Sequence, residues 1–209
     1  MTKKKTTDHQ PFENTALNVF VEECARLESP RVLELGSKRS VLDQSTLHKI
    51  FVPHAGEFLG FDLEKGLDVD VVGDIHRLSS LIGRESFDII ISCSTFEHLK
   101  YPHLAAHEIM KTLKVGGLLF IQTHHSFINL YCPVDYFRYT REGLKGLFGT
   151  KNGFEVKAIS YEFPARLVTE RVPELNKVDV YLNTTLYGQK TAKTPSRYVY
   201  EFDYHPEQG

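Results

Sequence analysis

Acids and a glycine recur along this chain where strands should end. Arg31-Val-Leu-Glu-Leu-Gly36 is a short apolar strand closing on an acid and a glycine, Phe58-Leu-Gly-Phe-Asp62 is a second closing on an acid, and Gly73-Asp74 puts a third acid on the next loop. Carboxylates at strand tips accept hydrogen bonds from ribose hydroxyls or an adenine amine, and glycine lets backbone approach with no side chain between. A doubly wound sheet uses this order, because its ligands bind beyond the carboxyl ends of the strands, where the strand order reverses. The competing account is that Glu34 and Asp62 merely cap strand ends. Three histidines, His98, His124 and His125, follow later apolar runs, and an imidazole there suits removal of an acceptor's proton.

The elements that must position these groups follow from periodicity. From Pro11, residues Leu17, Phe20, Val21, Cys24 and Leu27 share one helical face. Val32 to Leu35 is the first strand, and a helix is expected from near Ser40, turning Leu42, Leu47 and Ile50 inward. Phe58 to Asp62, Val69 to Val72 and Phe87 to Ser92 are the next strands; the last is a β-branched run suited to burial on both faces. Pro102 to Leu113 reads as a helix with proline in its first turn, ended by Gly116-Gly117 before a fifth strand, Leu118 to Gln122. Thr140 is an expected N-cap for a helix burying Leu144, Leu147 and Phe148. Phe154 to Ser160 and Val178 to Tyr187 are expected edge strands around an insertion, Pro164 to Asn176, and Arg197 to Tyr204 is either an added strand or an ordered tail. Alternation of strand and helix argues for a parallel sheet.

Length and composition bound the rest. A chain of 209 residues with 41% hydrophobic and 25% charged residues suits one soluble domain. The division expected is a loose basic tail over residues 1–10, one domain over 11–190 and an extension over 191–209. A formal net charge of −2 implies no global attraction to nucleic acid or anionic membrane. Cys24, Cys93 and Cys132 form no paired motif, no secretory signal is visible, and no apolar run is long enough to span a bilayer, so a cytoplasmic location is expected. His103 and His107 lie four apart on a predicted helix, as zinc ligands sometimes do, yet no carboxylate signature accompanies them; a solvated helix face is the reading, with no metal.

Ser86-Phe-Asp-Ile-Ile-Ile-Ser92, Glu97-His98-Leu99 and Leu113-Lys-Val-Gly-Gly-Leu-Leu-Phe-Ile121 add to the first three segments a pattern that resembles the class I S-adenosylmethionine-dependent methyltransferases, close to the type 11 group. The resemblance covers about residues 31–148. It implies an α/β, doubly wound, Rossmann-like sheet of seven mostly parallel strands with the last antiparallel, helices on both faces, and S-adenosylmethionine as cofactor. By the same resemblance Glu34 and Gly36 line the methionine end and Asp62 takes the ribose hydroxyls. Asp74 holds the adenine together with Ile75, Leu63 belongs to the same wall, and Ser94 sits beneath the sulfonium. The loop Gly36-Ser-Lys-Arg-Ser40 departs from the family's commonest pattern, which has glycines where Lys38 and Ser40 stand; here the side chains of Ser37 and Lys38 are available to the cofactor's carboxylate. No Gly-x-Gly-x-x-Gly loop is present for a dinucleotide.

On the acceptor side, Pro133-Val-Asp-Tyr-Phe-Arg-Tyr-Thr140 resembles a Pro-x-Asp-Tyr-x-Arg-x-Thr stretch of related sequences at the lid and acceptor pocket. Asp135, Tyr136, Arg138 and Tyr139 are therefore the candidate substrate contacts, stacking on and hydrogen-bonding a sugar or planar acceptor. Alternatively Asp135 and Arg138 form an ion pair that only fixes a turn. The candidate bases are His98, His124 and His125, although Glu97-His98-Leu99 has a partly structural role in the family. The expected reaction is methyl transfer to a small molecule, foremost O-methylation of a sugar, glycan or secondary metabolite. N-methylation of an amine or peptide and a non-catalytic cofactor-binding module are the alternatives. The aromatic segment from Tyr198 to Tyr204 offers a surface for a homodimer.

Overall fold

A computed structural model describes residues 15–130 and 133–200. The expected basic tail, the helix start at Pro11, Cys132 and the end of the C-terminal extension lie outside the described residues.

The strands are β1 (Arg31–Leu35), β2 (Glu57–Asp62), β3 (Val71–Val72), β4 (Phe87–Cys93), β5 (Leu113–His124), β6 (Phe154–Arg166) and β7 (Asp179–Lys190). They form one sheet in the order β3-β2-β1-β4-β5-β7-β6. Pairings from β3 through β5 are parallel, and β7 runs antiparallel to both neighbours. The chain winds outward from β1 to β3, then returns to β4, so the crevice lies between the carboxyl ends of β1 and β4.

One face carries α2 (Leu78–Ile82), α3 (Pro102–Thr112) and α4 (Arg141–Lys145), packed over Leu33, Leu35, Ile90, Leu119, Ile121 and Leu186. The other carries α1 (Ala16–Cys24) over Val32, Ile89, Ile91 and Phe120. Ala16, Phe20 and Cys24 are the buried stripe of α1, one turn apart. The Phe20 ring stacks on Phe120 at 5.0 Å and leans on Tyr187 at 5.8 Å.

The expected helix near Ser40 does not form. Residues 41–48 are a loop leading to a 3-10 turn, Lys49–Phe51, and Leu42 and Ile50 are 79% and 82% exposed. Long-range bonds hold this segment open: Arg39 grips Asp68, the Thr46 amide donates to Asp68, and the His48 amide donates to Glu34. Val41, Asp43, Ser45 and Thr46 offer little helix propensity to compete. Strand β3 is shorter than expected because the Asp70 carboxylate takes the Gly60 amide at 2.7 Å, replacing a ladder bond.

The glycine pair sits inside β5 rather than before it. Phe87 pairs with Leu113 and Ile89 with Leu118, so residues 114–117 bulge between the two registers, with Gly116 at φ +87°. At the far edge β6 and β7 outrun the expected strands: pairing continues to Arg166 and Asp179, which turns the first part of the expected insertion into sheet. No strand occurs over residues 197–200. Asn152 exchanges two hydrogen bonds with the Val199 backbone, and the Tyr198 hydroxyl donates to the Leu147 carbonyl. His107 is buried beneath this segment, its Nε2 donating to the Pro195 carbonyl at 2.9 Å, which corrects the expectation of a solvated helix face.

Candidate active site

At the β1 tip, Glu34 is almost fully buried, and its carboxylate accepts the His48 amide at 2.7 Å and meets the His48 ring at 2.5 Å. Gly36 adopts φ +74°, and a Cβ there would lie 2.0 Å from Thr95 Oγ1. Glycine is thus demanded by the neighbouring strand tip as much as by any ligand. Thr95 in turn donates to the Leu35 and Cys93 carbonyls at 3.2 and 3.1 Å, tying β1 to β4 across the crevice.

The tip of β2 organises the loop after β1. Asp62 accepts the Lys38 amide at 2.9 Å and the Glu64 amide at 3.0 Å, leaving further lone pairs on a half-buried carboxylate. The Lys38 ammonium, expected on the cofactor's carboxylate, is paired with Glu64. Arg39 grips Asp68 with two nitrogens at 2.9 and 3.0 Å, and that bond chiefly holds the Asp68 carboxyl down to about 2. Ser37 is fully buried; its hydroxyl faces Gly60 and has no hydrogen-bond partner among the described residues. The Gly73 amide donates to the Asp62 carbonyl at 2.8 Å, so Asp74 stands at the adjoining tip. The half-exposed Asp74 carboxylate accepts the His76 amide at 2.9 Å and the His76 ring at 2.6 Å. Partial burial opposes ionisation of Asp74, but those bonds hold its pKa below the ordinary value. Ile75 is buried beside it and Leu63 is exposed.

Beyond β4 the chain turns at Ser94, exposed and at φ +50°, a left-handed conformation uncommon outside glycine. Glu97 follows, fully buried. Its Oε2 accepts the Thr123 hydroxyl at 2.8 Å, and its Oε1 lies 2.9 Å from His124 Nδ1, a charge contact without good hydrogen-bond alignment. Burial pushes the Glu97 carboxyl up, but His124 and Thr123 outweigh it and lower the pKa. The opposite face of His124 is covered by the Phe127 ring at 4.1 Å.

The Glu97 carbonyl accepts the amides of Tyr136 and Phe137, at 2.7 and 3.2 Å, and so carries the segment over 133–140. Asp135 pairs with Arg138 at 2.6 Å, takes the Leu130 amide at 2.7 Å and lies 3.2 Å from His98 Nδ1. The ion pair with Arg138 chiefly holds the Asp135 carboxyl below its usual range. Of the two expectations for Asp135 and Arg138, the ion pair that fixes the turn is formed, and the exposed Tyr136 and Phe137 rings stand beside it. Tyr139, expected among the acceptor contacts, is buried, with its hydroxyl donating to the Phe96 carbonyl at 3.2 Å. His125 donates to the Tyr139 carbonyl at 2.9 Å and packs on Tyr161.

Sheet register shows where the core gives way to a polar surface. Directly opposed residues share a face. The row Ile91, Phe120, Tyr187, Ala158 packs under α1. Next comes Cys93, Gln122, Thr185, Ser160, and then His124, Asn183, Glu162. The first residue of α1 caps the second row, with the Ala16 amide donating to Ser160 Oγ at 3.1 Å. Glu162 accepts the Thr185 hydroxyl at 2.9 Å, and the side-chain Oδ1 of Asn183 is buried without a hydrogen-bond partner among the described residues. Burial raises the Cys93 thiol pKa well above normal, and Glu34, Glu97 and Glu162 add to the rise.

Glu97, Thr95, Asn183 and Glu162 were not singled out from the sequence. Glu97 stood in a quoted segment, but nothing in its spacing pairs it with His124; Asn183 and Glu162 become neighbours of His124 only through strand register. Among the described residues, no three His, Cys, Asp or Glu converge as a metal site, and no helix is long and apolar enough to cross a membrane.

Residues 48–121 match the model of a family described as a methyltransferase domain. Among solved structures, an S-adenosylmethionine-dependent methyltransferase from Mesorhizobium loti aligns over 85% of this chain and 99% of its own, at 15% identity and TM-score 0.55. One from Archaeoglobus fulgidus aligns over 83% and 91%, at 17% identity and TM-score 0.58. The 1,6-didemethyltoxoflavin-N1-methyltransferase of Burkholderia thailandensis, solved with its substrate and S-adenosylhomocysteine, aligns over 85% and 77%, at 15% identity and TM-score 0.56. At these identities the likeness is one of fold. No curated protein matches the chain in sequence.

Proposed function

We propose that this chain, whose residues 48–121 match a methyltransferase domain, is a class I S-adenosylmethionine-dependent methyltransferase that transfers a methyl group to a hydroxyl of a small molecule: a sugar, a glycan or a secondary metabolite. S-adenosylmethionine is the cofactor and supplies an electrophilic methyl on a positively charged sulfur. The crevice fits it: Asp62 and Asp74 keep accessible carboxylate at adjoining strand tips for ribose and adenine, with Ile75 and Leu63 alongside, and Ser94 is exposed at the β4 tip. Glu34 and Gly36 form the methionine end, with Glu34 acting through His48. Ser37 and Lys38 serve mainly to hold the loop, Ser37 from its buried place beneath it and Lys38 through its amide on Asp62 and its ammonium on Glu64.

The observation that carries the reading is the buried Glu97–His124 contact at the head of the polar rows. Nδ1 faces the Glu97 carboxylate, and in the tautomer with its proton on Nδ1 the ring offers the lone pair of Nε2 as base. His124 takes the acceptor's hydroxyl proton, and Glu97 balances the positive charge the ring then carries. Asn183 and Glu162 offer oxygens to the acceptor's other hydroxyls, while Tyr136 and Phe137 close over it on the hinge made by Asp135, Arg138 and His98. Holding the acceptor in line and dehydrated supplies most of the remaining acceleration. His125 and Tyr139 support the tip of β5 from behind.

The three carboxylates that act on Cys93 favour a second reading, N-methylation of an amine, because methyl transfer then moves positive charge from sulfur to nitrogen within their field. Titration calorimetry with S-adenosylhomocysteine, followed by homocysteine release from neutral sugars, phenols and amines, tests both. Failure to bind the product cofactor would sink the proposal; turnover of amines alone would select the second reading. Residues 11–190 are the catalytic unit in this proposal and 191–209 an extension. Self-association through Tyr198 has less to support it, since that ring packs on His103 and His107 of its own chain.

A further inference from the structure

At the end of the sheet remote from the crevice, a cavity of about 220 Å³ is lined by Arg84, Glu85, Lys111, Lys190, Lys193 and Thr194. Three segments far apart in sequence meet there: the turn before β4, the last turn of α3, and the end of β7 with the residues that follow. The turn is rigid. Gly83 and Glu85 adopt φ +96° and +48°, and the Glu85 and Ser86 amides donate to the Lys111 and Thr112 carbonyls at 2.9 and 2.8 Å.

The charges around this cavity do not balance. Lys111 is paired with Glu108, which leaves Arg84, Lys190 and Lys193 against the single carboxylate of Glu85. Lys190 is 1% exposed; its ammonium donates to the Leu113 carbonyl at 2.7 Å and reaches Glu85 only at 3.3 Å. Burial lowers its pKa, and the neighbouring Arg84 and Lys193 lower it further. Among the described residues, neither Arg84 nor Lys193 makes a side-chain hydrogen bond or ion pair. A buried ammonium with two unmatched cations beside it is costly unless an anion completes the set. The chain as a whole is slightly acidic, so a local surplus of two positive charges around a concavity is not a reflection of general composition.

We propose that this cavity is a binding site for a phosphate dianion, free or carried as the monoester of a small metabolite. Arginine and lysine present the fork and point-charge donors that phosphate oxygens take. Lys193 and Thr194 line the site, so its occupant would fasten the residues after β7 to α3 and the turn before β4.

Thermal unfolding of the whole chain at constant ionic strength tests this, with sodium chloride, inorganic phosphate and glucose 6-phosphate compared in wild type, Arg84→Gln and Lys193→Gln. At saturation a rise in Tm of about 5 °C over chloride is expected in the wild type and a loss of most of that rise in each variant. A rise with both phosphates indicates the free ion suffices, and a rise with glucose 6-phosphate alone indicates a carried group. No rise with either, or equal rises in wild type and variants, overturns the proposal. Broadening of the phosphorus resonance on titrating wild-type protein gives the same decision without a variant, and an unchanged affinity for S-adenosylhomocysteine shows that each variant is folded.

Discussion

Around β1 to β3, the loops are bound by acids that reach back to nearby backbone and by cations that reach across to acids: Asp62 to the Lys38 amide, Asp70 to the Gly60 amide, Arg39 to Asp68. Around β4 and β5, the corresponding ground is held by one buried side chain, Glu97, whose carboxylate meets Thr123 and His124 while its carbonyl carries the 133–140 segment. The first region spreads its support over many partly exposed bonds, each worth little alone. The second concentrates it in a single buried group. Damage around β1 to β3 should therefore be graded, and damage around β4 and β5 abrupt.

Substitution at Glu97 is the sharpest way to break that contrast. Glu97→Ala leaves Thr123 and His124 without their partner inside the protein, and a loss of about 3 kcal/mol is expected in urea unfolding. Glu97→Gln keeps the shape and the bond to Thr123 but not the charge; kcat should fall about 100-fold while affinity for S-adenosylhomocysteine is unchanged. A fall in cofactor affinity as large as the fall in kcat would show that the two regions are not separable.

Gly36→Ala comes next. The added methyl meets Thr95 Oγ1 at 2.0 Å and the backbone is left-handed, so about 2 kcal/mol of stability should be lost along with cofactor affinity. Thr95→Ala in the same chain should restore part of it, and a double-mutant cycle with no coupling would disprove the contact.

Arg39→Ala probes the distributed side and should act more mildly, weakening S-adenosylhomocysteine severalfold. Asp68 has its pKa depressed to about 2 in the folded protein, so its contribution is present above the ordinary aspartate value of about 4 and is lost as pH falls toward 2. Loosening of the loop at acid pH should thus begin nearer pH 4 in the variant than in the wild type, as followed by hydrogen exchange at the amide of residue 39, which donates to the Leu67 carbonyl, and at the Thr46 amide. The smallest effect belongs to His98→Asn, which weakens the hold on Asp135 and should raise KM for the acceptor severalfold with kcat nearly unchanged.

Much of this was legible residue by residue. The β-branched run of β4 and the one-turn spacing of Phe20 and Cys24 in α1 carry their own periodicity, and Thr140 is the N-cap it was expected to be, accepting the Gly143 amide at 3.1 Å. The segment after Ser40 misled because its apolar residues are spaced as in a helix, while Asp68, in the loop between β2 and β3, and Glu34 of β1 outbid that pattern. His107 was read as solvated because the segment that covers it lies some 88 residues downstream.

Sequence alone determined the strand tips and their acids, since a glycine, a carboxylate and a run of buried aliphatics each state their local requirement. Which histidine stands beside buried Glu97 was decided by the parallel pairing of β4 and β5, and that Asn183 and Glu162 share its face by the antiparallel register of β5, β7 and β6. A register shift of one residue would turn those side chains to the other side of the sheet. Contacts of that kind depend on how distant strands pair, and nothing in the spacing of a single segment encodes it.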